Sequence, residues 1–102
     1  MDVAERRDHA WIGDAVLALY ARSWILEQSD IPRSRRAEEF KALTSNEFLS
    51  EIGEPTRMEA TIGQVYALEG LESAFEWIES NCIPLYLKKR ENLRKSSRGK
   101  KR

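Results

Sequence analysis

A single cysteine, Cys82, and a single histidine, His9, stand among the 102 residues. One thiol forms no intramolecular disulfide and makes no cysteine-rich zinc site. One histidine, with nothing in the sequence to bring a serine or cysteine to it, leaves nucleophilic Ser-His-Asp or Cys-His chemistry without support. Gly53, Gly63 and Gly70 are isolated, so there is no glycine-rich phosphate loop. Three prolines and five glycines are too few for a turn-rich β fold. No apolar run reaches the roughly 18 residues that a membrane-spanning helix needs. The opening MDVAERRD lacks the apolar stretch of a signal peptide, and the expected location is the cytoplasm.

What is present is a globular composition, 41% apolar and 33% charged, of a length that makes one domain. A domain of this size hides only roughly two-thirds of its unfolded surface, so its own core is marginal. The formal charge of zero conceals an asymmetry. Residues 88–102 hold nine Lys/Arg and one Glu, net +8. Residues 1–87 hold eight Lys/Arg against sixteen Asp/Glu, net −8. The expected organisation is therefore an acidic body, residues 1–87, with a basic tail, residues 88–102. Its cations are Lys88, Lys89, Arg90, Arg94, Lys95, Arg98, Lys100, Lys101 and Arg102. Such a block attracts phosphate backbones and releases them as salt rises, or is simply a solvated tail.

Apolar residues recur at helical spacing throughout, and no segment alternates as a strand, so the expected class is all-α with about six helices. The first spans residues 8–28. Ile12, Val16, Leu19 and Leu26 mark one face, and Trp11, Ala15, Leu17, Tyr20, Trp24 and Ile25 widen it almost all the way round. That pattern predicts a central, buried helix. Further helices are expected over residues 34–43, from Thr44 or Ser45 to Gly53, over 55–68 with Pro55 in the first turn, and over 71–81. A last helix opens at Pro84 and frays into the tail.

Two charges are out of place. Asp14 is the only formally charged side chain between Asp8 and Arg22 when His9 is neutral, and Asp is a poor mid-helix residue. Arg7, Ala10, Asp14, Ala18 and Ala21 share one side, so small residues leave room for a helix or ligand beside the carboxylate. Asp14 alternatively sits on a solvent stripe or pairs with an arginine. Glu59, beside Met58, Ala60 and Ile62 with Gly63 one turn on, is the second candidate, though a glutamate early in a helix also complements the helix dipole. Two such carboxylates on different helices would make a site for a hard cation, Mg²⁺ or Mn²⁺, that keeps several waters. Cys82 reads as a small packing residue.

The segment from His9 to Leu17, HAWIGDAVL, resembles the signature helix of ribonuclease III domains, most closely the Mini-ribonuclease III branch through Ala10 to Asp14. Leu43 to Leu49, LTSNEFL, is similar to a second segment of that family, and Met58 to Tyr66, MEATIGQVY, followed by Glu69-Gly70-Leu71-Glu72, to a third. The three occur in the family's order and cover most of residues 8–80. The resemblance implies a compact all-α endonuclease domain that dimerises and cuts double-stranded RNA with Mg²⁺ or Mn²⁺, and no small-molecule cofactor. It assigns Asp14 and Glu59 as the catalytic, metal-binding carboxylates and Trp11 as an aromatic packed across the homodimer. Larger family members carry acids where this chain has Ala10 and Thr56; the Mini branch shares the alanine. In place of an appended double-stranded-RNA-binding domain, residues 88–102 would supply contact with the A-form backbone. Two other readings stay open. One is a catalytically impaired RNA-binding or ribosome-associated protein on the same domain. The other is a helical dimer module with no RNA role.

Overall fold

The computed structural model describes the backbone of residues 2–100 and the side chains of residues 2–95. The described chain is all-helical, without a strand. Helix α1 runs from Val3 to Glu27, and after a 3₁₀ turn at Arg33–Arg35 come α2 (Arg36–Thr44) and the short α3 (Asn46–Leu49). Then follow α4 (Pro55–Glu69), α5 (Leu71–Asn81) and α6 (Ile83–Lys100).

Local chemistry sets these limits. Asp2 accepts a hydrogen bond from the Glu5 amide at 2.8 Å, which starts α1 five residues earlier than its apolar pattern begins. Pro32 follows the end of α1. Ser45 accepts from the Phe48 amide and caps α3. The Glu54 carboxylate accepts from the Thr56 and Arg57 amides, at 3.1 and 2.8 Å, ahead of Pro55 in the first turn of α4. Gly70, at φ 97°, turns α4 into α5 through a conformation that other residues avoid.

The core lies between α1, α4 and α5, with α2, α3 and the start of α6 closing it. Leu17, Leu43, Leu49, Ile62, Ile78 and Cys82 are its largest fully buried side chains. Tyr20 meets Phe75 edge-on at 5.2 Å, and Tyr86 of α6 meets Trp24 and Phe48 the same way at 5.5 and 6.0 Å.

Two expectations change. Helix α1 is central but not buried all round. One side carries Ala10, Gly13, Leu17, Tyr20 and Ala21 into the core. The other leaves Trp11, Ile12, Leu19 and Leu26 exposed, Trp11 at 79%. Among the described residues no further helix lies over that side. The basic segment also does not fray after Leu87: α6 continues through it to Lys100, so the boundary expected between residues 87 and 88 falls inside a helix. Lys and Arg are good helix formers, and Glu91 offsets Arg94 one turn on, at 3.9 Å. The radius of gyration, 14.9 Å, exceeds the about 13 Å of a compact chain this long, and the long axis reaches 53 Å.

Candidate metal centre

Asp14 and Glu59 come together because two glycines let two helix backbones touch. A Cβ built on Gly13 of α1 would lie 1.7 Å from the Glu59 carbonyl oxygen. One built on Gly63 of α4 would lie 1.9 Å from the His9 carbonyl oxygen. Position 13 meets 59 and position 9 meets 63, so the helices run antiparallel. Ala10 and Ala60 are buried, and no bulky side chain separates the two helices at this crossing. The small residues seen beside Asp14 and the space beside Glu59 are thus filled by each other's helix.

The side chain next to Gly13 is Asp14, and it meets the side chain of Glu59. Asp14 is exposed and Glu59 half-buried, and the two carboxyls are near enough to act on each other electrostatically. Burial first, then the neighbouring Asp14 carboxyl and the negative charge of Glu54, push the Glu59 carboxyl from its ordinary 4.5 up to about 7. Asp14 has no arginine or lysine partner among the described ion pairs. Two oxygen-rich side chains, one facing solvent, fit a small hard cation that keeps waters and takes one or two carboxylates. Among the described residues no cluster of three or more His, Cys, Asp or Glu side chains adds to the pair. Thr56 is exposed in the first turn of α4, and Ala10 lies in the crossing. Neither supplies an oxygen anion. Cys82, 1% exposed with its thiol pushed up to about 11 by burial, is a packing residue.

The basic residues divide. Lys88 and Lys95 are exposed and outside every described ion pair. Arg94 pairs with Glu91. Lys89 pairs with Glu51, and Arg90 with Glu39 at 3.5 Å and Asp30 at 3.7 Å, so these two hold α6 to the body. The side chains of Arg98 and Lys100, and all of Lys101 and Arg102, lie outside the described residues.

Two features escaped the sequence reading. Glu39 is the one buried charged residue among those described; only its i, i+4 spacing from Arg35 hinted at a partner. A groove of about 380 Å³ is lined by Arg22, Ile25, Leu26, Arg36, Ala37 and Phe40. It continues the exposed stripe of α1, and the Arg22 guanidinium lies 4.3 Å from the Phe40 ring centre. No protein-family model matches the chain, and no curated protein or solved structure is significantly similar to it.

Proposed function

We propose that the protein is a minimal endoribonuclease of the ribonuclease III type, a homodimer that hydrolyses phosphodiester bonds in double-stranded RNA with Mg²⁺ or Mn²⁺. The observation that carries this reading is the meeting of Asp14 and Glu59. They are the two residues that the family resemblance assigns to the metal, and they lie 45 positions apart in sequence. A carboxyl pair at a solvent edge, with one member pushed up towards neutrality, gains from a divalent cation that relieves the repulsion. Such a cation polarises a phosphate oxygen and lowers the pKa of a bound water. The chain's own contribution is positional. The glycine crossing fixes Glu59 from below, and Asp14 presents its carboxylate on the open side where a phosphodiester would approach. The cations of α6 attract the duplex by charge rather than by base sequence.

The homodimer is supported by the exposed stripe of α1. Trp11 and Leu26 are fifteen residues apart, about 22 Å along a helix. If two copies of α1 pair antiparallel about a two-fold axis near Ala18 and Leu19, Trp11 of each copy lies opposite Leu26 of the other. Leu26 lines the 380 Å³ groove, which offers an apolar seat and the flat Arg22–Phe40 pair for an indole.

The test is incubation of the protein with long duplex RNA in Mg²⁺ or in EDTA. Metal-dependent fragments are expected. Salt-sensitive binding without cutting would instead favour the RNA-binding reading, to which the lack of a three-acid cluster among the described residues gives weight. Absence of both would favour a dimer module with no RNA role.

A further inference from the structure

Glu39 is buried, 8% exposed, yet lies far in sequence from the carboxylate pair. Three groups converge on it. The Tyr86 hydroxyl donates to Oε1, the Arg90 Nε lies 3.5 Å from the same oxygen, and an Arg35 guanidinium nitrogen lies 3.5 Å from Oε2. Tyr86 and Arg90 belong to α6, so this one carboxylate of α2 grips α6 through two successive turns. Arg90 also reaches Asp30 before α2, and Lys89 reaches Glu51 after α3. From Glu91 to Lys95 every residue of α6 is exposed. Among the described side chains, the helix is therefore anchored only by its first turns. Lys88 and Lys95 lie seven residues apart, two turns or about 10 Å, on the outer side away from Tyr86.

We propose that Glu39 is a positioning residue for duplex RNA: it fixes the direction in which α6 leaves the body and assigns Arg90 to that anchor instead of to RNA. This rests on the reading of α6 as an RNA-binding element. A helix held in one direction presents Lys88 and Lys95 as a preformed pair on one side, and binding then costs less ordering. A loosely held helix keeps the same charges but must be ordered by the ligand.

The test uses the full chain with Glu39→Gln, Arg90→Gln and the double variant, and a mixed-sequence 30-base-pair RNA duplex in EDTA over a range of salt. Each variant is expected to bind about three- to tenfold more weakly, with an unchanged salt dependence because the cations that contact RNA are all retained. The double variant is expected to be no weaker than Arg90→Gln. Lys95→Gln is the contrast, since losing a true phosphate contact flattens the salt dependence by roughly 0.7–0.9 in slope. Tryptic cleavage within residues 88–95 should accelerate in all three anchor variants. If Glu39→Gln does not fold, Arg90→Gln carries the test, because Arg90 is partly exposed. Unchanged or tighter binding by folded Glu39→Gln, or a flatter salt dependence for Arg90→Gln, would overturn the proposal. Failure of the unmodified protein to bind the duplex would overturn the RNA reading itself. Unchanged tryptic rates in a protein that does bind RNA would overturn the anchor alone.

Discussion

Gly13 rests directly on the carbonyl of Glu59, so closely that a methyl group at position 13 would stand 1.7 Å from that oxygen. The contact does two things. It allows α1 and α4 to pack backbone to backbone, and it brings the neighbouring Asp14 carboxylate to the Glu59 side chain.

Gly13→Ala is therefore expected to reverse a familiar sign. Alanine in a helix interior is ordinarily favoured over glycine by about 1 kcal/mol. Here the clash is with backbone, which a rotamer change does not relieve, and overpacking costs typically about 1–3 kcal/mol or more. Gly63→Ala meets the His9 carbonyl in the same way. Urea denaturation should find both variants less stable, and both should lose metal-dependent cleavage because the carboxylates are moved apart.

Glu59 gives a pH signature in the absence of metal. Its carboxyl is raised to about 7 in the folded protein, so the folded chain binds more protons than the unfolded chain between pH 4.5 and 7. The favourable contribution is fully present below pH 4.5, is lost as pH rises through about 7, and changes no further above. Melting temperatures of the unmodified protein and Glu59→Gln, compared in EDTA, should diverge in the variant's favour over that window. Mg²⁺ should close the gap by stabilising the unmodified protein. Parallel melting curves across the window would remove the raised carboxyl.

Trp11 is 79% exposed in the single chain, so Trp11→Ala should leave the fold's stability within about 0.5 kcal/mol. If Trp11 anchors the second copy, the same change should weaken the dimer by about 2 kcal/mol or more. Sedimentation over a concentration series separates the two effects. A stable monomer of the unmodified protein at micromolar concentration would contradict the homodimer.

Removing residues 91–102 tests the basic helix while leaving Lys89 and Arg90 on their carboxylates. The deletion takes away six of the nine tail cations. Duplex RNA binding should weaken and its salt dependence flatten, because fewer counterions are released. Cleavage at saturating RNA should change little.

The helices were legible where local chemistry is strong. The 71–81 segment matches α5, Pro55 opens α4, and Ser45 caps α3. Asp14 stood out as an acid in an apolar run and Glu59 as a second acid among apolar residues, and the family resemblance paired them. What brings the pair together was not legible, since a glycine's value in a helix crossing depends on what packs against it, and sequence does not give that partner. One misreading and one omission share a cause. The exposed side of α1 looks like core because apolar residues there have the same spacing whether a helix or a second copy is to cover them. Glu39 passed unremarked because its partners, Tyr86 and Arg90, are about fifty residues away.

The decisive measurement is cleavage of long duplex RNA by four proteins, unmodified, Asp14→Asn, Glu59→Gln and the double variant, each with Mg²⁺ and with EDTA. Each amide keeps the shape of its carboxylate and removes the charge that would hold a cation. The expected result is metal-dependent fragmentation by the unmodified protein and loss of most cleavage in either single variant. The double variant should be barely worse, since residues that act as a unit are non-additive. Full cleavage by either single variant would take that residue out of the site, and no cleavage by the unmodified protein in Mg²⁺ or Mn²⁺ would contradict the nuclease reading altogether.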